Sequence, residues 1–142
     1  MHDKCVSYEI GDTSENFKNP QARRTFRLVN AGLEQLSDYI PRESCHLLVG
    51  DLPYGIQHAP KESARISTLE KLVFRIARGG QVALKQGGAM ALSFNRYTLK
   101  RERVTDAINA AGLTALEDAP YNGFAHWVEQ AVDRDAVIAC KK

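Results

Sequence analysis

Apolar positions along this chain fall into short runs separated by polar, turn-forming stretches, and the spacing inside each run sets the element it predicts. "CVSYEI" at residues 5–10 alternates weakly and reads as a strand. The polar "GDTSENFKNPQARR" that follows, with Pro20 inside it, reads as a loop with room for one helical turn. "FRLVNA" (26–31) predicts a second strand, followed by a short amphipathic piece from Leu33 to Ile40. "CHLLVG" (45–50) is a compact apolar run with neither face polar, which fits a strand buried in a parallel sheet.

From residue 67 the period changes. "STLEKLVFRIARGGQVALKQGG" (67–88) places Leu69, Leu72, Val73 and Ile76 at helical spacing. Ser67 or Thr68 serves as the cap, Gly87–Gly88 as the stop, and Gly79–Gly80 as a kink, since each mid-helix glycine costs about 1 kcal/mol against alanine. "AMALSF" (89–94) is another short buried strand. "TLKRERVTDAINAAG" (98–112) predicts a helix with Val104, Ile108 and Ala111 inward, capped by Thr98 and closed by Gly112. "LTALE" and "DAVIAC" (135–140) give two last strands across a long loop. This order predicts an open α/β sheet ending in an antiparallel hairpin.

At 142 residues, with 44% apolar and 25% charged positions, the chain is the size of one ordinary globular domain. A net charge of +2 neither demands nor excludes an anionic partner. Cys5, Cys45 and Cys140 are odd in number and far apart, which points to reduced thiols and a cytoplasmic location. The four histidines form no ligand pair, so no metal is expected. No apolar run approaches the ~18 residues of a membrane span.

One short pattern occurs twice: "DLPYG" from Asp51 and "DAPYNG" from Asp118. Ligands of open α/β sheets bind beyond the carboxyl ends of the parallel strands, and Asp51 directly follows "HLLVG". Asp118 follows the weaker "LTALE", and "PYNG" is good turn chemistry. The first copy is therefore the expected site and the second a turn. An exocyclic amine of a nucleobase is a poor nucleophile because its lone pair is delocalised into the ring. Acceptors that pull its hydrogens out of plane restore that lone pair. The Asp51 carboxylate and the Leu52 carbonyl supply two such acceptors. Pro53 stiffens the loop, Tyr54 offers a flat face for an extruded base, and Gly55 leaves room for the turn.

"DLPYG" after a buried strand resembles motif IV, the Asp/Asn-Pro-Pro-Tyr signature of class I S-adenosylmethionine-dependent amino-methyltransferases. Leu52 in place of the first proline is similar to the variant in THUMP-associated tRNA guanine-N2 methyltransferases and related RNA methylases. "LKQGGAMALSFN" resembles that family's helix end and fifth strand, and residues 112–139 its last two strands. The resemblance spans residues 26–142, with residues 1–25 a loop-rich lead-in. It implies a Rossmann-like sheet, S-adenosylmethionine as cofactor, and methylation of a base amine in a tRNA-type RNA. Asp51, Leu52, Pro53 and Tyr54 would be catalytic, and Asp51 would also border the cofactor. A DNA amino-methyltransferase and a non-catalytic partner subunit are the alternatives.

The family's cofactor loop is glycine-rich and follows its first strand, yet the only glycine before residue 32 is Gly11. The chain thus resembles a substrate-side half, incomplete at its N-terminus: a fragment, a sheet that a partner chain or second copy would complete, or a half-domain that closes differently. "VSYEIGD" fits the second strand, with Glu9 on the ribose hydroxyls, or equally an inserted hairpin. His58 and Lys61 follow the motif in a loop placed to cover substrate. Asn95, Arg96 and Tyr97 follow the fifth strand at the same edge. Arg96, Lys100, Arg101 and Arg103 set four cations within eight residues, a patch for RNA phosphates. Arg23, Arg24 and Arg27 form a weaker cluster. Trp127 and Tyr121 are expected to be packing or turn residues.

Overall fold

The computed structural model describes residues 4–32, 35–53 and 62–142. The chain divides into two compact units, Met1–Tyr39 and Ile40–Lys142.

The first unit holds β1 (Lys4–Ile10), α1 (Ser14–Lys18), β2 (Arg24–Asn30) and α2 (Leu36–Tyr39). β1 and β2 pair antiparallel, from Lys4 opposite Asn30 to Ile10 opposite Arg24. Thr13 caps α1 by accepting from the Asn16 amide, so the polar linker does contain one helical turn. Of the two fits open for "VSYEIGD", the structure has the hairpin. "FRLVNA" was expected in the main sheet; instead β2 and β1 make a separate two-stranded sheet. The Arg cluster is used locally. Arg23 pairs with Glu9 and lies 5.7 Å over the Phe17 ring, and Arg27 donates to the Tyr39 carbonyl at 3.2 Å.

The second unit runs β3 (Cys45–Asp51), α3 (Glu62–Ala83), β4 (Leu84–Asn95), α4 (Arg101–Ala110), β5 (Thr114–Leu116), β6 (His126–Glu129) and β7 (Val132–Cys140). The sheet order is β3-β4-β7-β5, with β6 also on β7. β3 and β4 are parallel, and β7 runs antiparallel to β4, β5 and β6. Going from β3 to β4 to β5, both crossovers step the same way across the sheet, so right-handed connections put α3 and α4 on one face. There Leu69, Val73 and Ala77 of α3 and Val104 and Ile108 of α4 join Met90, Leu92, Phe94, Val137 and Ala139 in the core. The opposite face carries Leu47, Val49 and Asp51, of which Leu47 and Val49 are exposed. Among the described residues β4 is the one strand beside β3.

Four sequence expectations are corrected here. α3 begins at Glu62, ahead of Ser67 and Thr68, and passes unbroken through Gly79–Gly80. Gly80 faces the sheet: a Cβ on it would meet Leu48 Cδ1 and Met90 Sδ at 3.4 Å, an ordinary contact distance, so packing against the sheet holds the helix through the two glycines. The helix stops at Ala83 and β4 starts at Leu84; Gly87–Gly88 fall instead in an irregular stretch of β4, where Cys45 pairs with Leu84 and Leu47 with Ala89. Gly87 takes a φ of +75° there, which suits glycine. Lastly, α4 has Lys100, not Thr98, at its N-cap, with no side-chain cap bond. The Thr98 hydroxyl donates to the Asn95 carbonyl. Gly112 (φ +94°) does close α4.

The strand β6 was not foreseen, because "HWVE" lay within an expected loop. Cys5, Cys45 and Cys140 are free thiols. No described helix is long and apolar enough to cross a membrane.

Candidate active site at the carboxyl end of the parallel strands

Asp51 is the last residue of β3, register partner of Ser93 on β4. The Ser93 hydroxyl donates to Asp51 Oδ1 at 2.8 Å, and the Leu52 amide donates to the Ser93 carbonyl at 2.9 Å. The parallel ladder thus runs one residue past the strand. The Leu52 side chain is buried in the core, while Asp51 and Pro53 are exposed. The result is a carboxylate fixed at three points: by the ladder behind it, by the Ser93 hydroxyl beside it, and by the Leu52 anchor after it. An ionised carboxylate has about four acceptor positions, so a bond from Ser93 leaves capacity to accept from a substrate N–H. Gly50 precedes it on the covered face, where a Cβ would stand 3.0 Å from Leu92 Cδ2.

Tyr54, Gly55, His58 and Lys61 lie outside the described residues. The other expected site residues separate into two groups. Asn95 is buried, its amide donating to the Ala131 carbonyl at 2.8 Å and its Oδ1 accepting from the Tyr97 and Asp133 amides. That side chain splices β4 to the β6–β7 turn and is not presented to a substrate. Arg101 is likewise engaged: Nη1 donates to both Asp135 oxygens at 3.0 Å and to the Ala136 carbonyl, and Nη2 to the Tyr121 carbonyl. The expectation that Arg101 meets substrate gives way to a structural bond set. Arg103 pairs with Glu70. Arg96 pairs with Asp133 at 3.2 Å but stays half exposed, and Lys100 is exposed at the α4 N-terminus.

Asp118 belongs to a turn in which the Tyr121 amide donates to the Asp118 carbonyl at 2.7 Å, and the Ala119–Pro120 bond is cis. Trp127 departs from its expected packing role: on β6 it is 66% exposed. Neither the hairpin nor this exposure was readable from periodicity, since four residues are too few to show a period.

The geometry has counterparts among solved structures. A Thermus thermophilus protein, provisionally named a DNA modification methylase, matches with a TM-score of 0.54 at 16% identity, covering 78% of this chain and 52% of that one. The same protein complexed with S-adenosyl-L-methionine matches with a TM-score of 0.51 at 16% identity, covering 77% and 50%. The fold is Rossmann-like, of the class I methyltransferase kind. The chain spans about half the length of these structures. No family model matches it, and no curated protein does.

Among the described residues, the fit to S-adenosylmethionine is at one end only. Asp51 and the Leu52–Pro53 backbone suit the edge where a methyl group meets an amine. Glu9, expected on the ribose, has its carboxylate in the ion pair with Arg23. Among the described residues of the second unit no glycine-rich turn and no second carboxylate adjoins Asp51.

Proposed function

We propose that this chain carries the substrate side of an S-adenosylmethionine-dependent methyltransferase acting on an exocyclic amine of a nucleobase. One observation carries this reading: a carboxylate held by Ser93 at the end of a parallel strand, followed by Leu52 and Pro53. When bound, the cofactor supplies an electrophilic methyl carbon. The chain's own part is to prepare the amine. The Asp51 carboxylate accepts one amine hydrogen and the Leu52 carbonyl a second, which draws the nitrogen out of conjugation and directs its lone pair. The Ser93 bond keeps the carboxylate from rotating as the proton shifts toward it, a preorganised arrangement that costs no rearrangement during reaction. Pro53 keeps a competing N–H out of the loop.

DNA is the polymer that the similarity to a provisionally named DNA modification methylase supports. RNA is the second reading, supported by Leu52 where the DNA-type signature has proline, and guanine N2 in a tRNA is its specific form. We extend the proposal to assembly: the edge of β3 away from β4 accepts a further strand, from a second copy or from a partner chain.

The test is transfer of labelled methyl from S-adenosylmethionine to single-stranded DNA and to tRNA. Millimolar cofactor is used, because no ribose carboxylate adjoins Asp51 among the described residues. Transfer that Asp51→Ala removes supports the reading. Its absence on both polymers overturns the reading and leaves a non-catalytic subunit, and its persistence in Asp51→Ala overturns the role given to the carboxylate.

A further inference from the structure

A glycine inside a strand gives up side-chain packing and backbone entropy, so one that stands there marks a close approach or a bend. Gly50 is such a residue: it directly precedes Asp51 on β3, and Leu92 of β4 is its register partner. A Cβ on Gly50 would stand 3.0 Å from Leu92 Cδ2, tighter than ordinary contact, and Leu92 is fully buried with little room to move aside. The Leu92 side chain thus uses the space that the glycine leaves. Two residues to either side, on the same covered face, the chain carries Leu48 and Leu52. Leu48 packs against the core and Leu52 is buried in it. Large, empty, large is the pattern that β3 turns toward Leu92.

That pattern selects a register. The backbone bonds of a parallel pair repeat along the strand, so by themselves they permit β3 to slide by two residues. A slide by one would turn the Asp51 carboxylate into the core, which its charge forbids. The open face gives no guidance, since Leu47 and Val49 are exposed there and face only Ala89, Ala91 and Ser93. The covered face does give it. A slide by two in one direction sets Leu52 opposite Leu92 and Asp51 opposite Ala91; in the other it sets Leu48 opposite Leu92 and Asp51 opposite Asn95. Either slide brings a leucine to the place of Gly50. The second also takes Leu48 away from Gly80. Ala91 has no hydroxyl to offer, and the Asn95 side chain is committed to Ala131, Tyr97 and Asp133. Of the three registers, the observed one gives the carboxylate its side-chain donor.

We propose that Gly50 is a positioning residue: the space it leaves for Leu92 decides which residue of β4 Asp51 meets, and so brings the Ser93 hydroxyl onto the carboxylate. The effect on turnover rests on the proposed nucleobase reading, whereas the register does not. The test trades size across the pair in the full chain. Gly50→Val fills the space while raising strand propensity, so a loss cannot come from a weaker strand. By NMR it should lose the Asp51–Ser93 contact and show faster exchange of the Leu52 amide, which the Ser93 carbonyl holds, while the β4–β7 amides stay protected. Methyl transfer should fall about a hundredfold with substrate KM little changed, the scale for a reacting group displaced by about an ångström. Adding Leu92→Ala should restore the contact, the protection and most of the rate. Should the valine variant not fold, Gly50→Ala with and without Leu92→Ala is read in the same way. Retention of the Asp51–Ser93 contact and of Leu52 protection in Gly50→Val overturns the proposal, and so does failure of Leu92→Ala to restore them. Absence of methyl transfer in the wild type counts against the nucleobase reading alone, because the two NMR signatures still judge the register.

Discussion

Ser93 and Asp51, 42 residues apart in sequence, meet through a 2.8 Å hydrogen bond across the β3–β4 parallel pairing. The contact makes the carboxylate part of the sheet rather than of the loop after it. Asp51→Ala should then lower methyl transfer by about 10²–10⁴-fold, the range for a group that handles a proton in the transition state. Ser93→Ala should lower it about tenfold with little change in substrate KM, because it frees the carboxylate's rotation without removing it. Asp118→Ala should be silent. Initial rates for the three variants decide, and equal losses at Asp51 and Asp118 would contradict the assignment.

Arg101 and Asp135 make a second prediction, of stability rather than rate. Asp135 is buried, and removing one partner of a buried, fully bonded pair costs about 3–5 kcal/mol. Asp135→Ala and Arg101→Ala should each destabilise by that order in urea unfolding. Arg101→Lys should rescue little, because one ammonium cannot span Asp135 and the Tyr121 carbonyl together.

For Gly80 the sign depends on size. Alanine there meets its neighbours at ordinary contact distance and gains helix propensity, so Gly80→Ala should stabilise by up to about 1 kcal/mol. Gly80→Leu should instead destabilise by about 1–3 kcal/mol through overpacking against Leu48 and Met90. Denaturation midpoints distinguish the two.

The pH prediction concerns Asp12. The Asn16 side-chain amide, donating at 3.0 Å, holds its carboxyl below the usual aspartate value, helped by its own backbone amide and by Arg24. A lowered folded value means this contribution is present above the ordinary aspartate range and is lost as pH falls through the folded value. NMR titration should show an acid-shifted Asp12 that returns toward the ordinary range in Asn16→Ala.

Much of the second unit was legible because its strands are compact apolar runs and its second helix shows a 3.6-residue period. "CHLLVG", "AMALSF" and the Val104–Ile108 spacing each mark an element that exists. The misreadings share a different cause: tertiary contact overrode local propensity. Gly79–Gly80 looks like a kink until the sheet beneath Gly80 is known. Gly87–Gly88 looks like a helix stop until the backbone bonds of both glycines to Lys141 are known. Arg101 looks like a free cation in sequence because Asp135 and the Tyr121 carbonyl, 34 and 20 residues away, are invisible there. "FRLVNA" has strand character but carries no mark of its partner, and it found β1. The four residues of β6 gave no signal.

The outer edge of β3, beside which no described strand pairs, has a consequence for how the protein behaves as a population. Its backbone donors and acceptors form a template on which a strand from a neighbour can add, beside the exposed Leu47 and Val49. The far end of that template is Asp51. If a strand adds there as proposed, it also steadies the segment carrying the carboxylate, and association and turnover would then share one free-energy cycle. Specific activity would then climb with protein concentration instead of staying constant, and a charge at Val49 would flatten that climb while leaving the carboxylate in place.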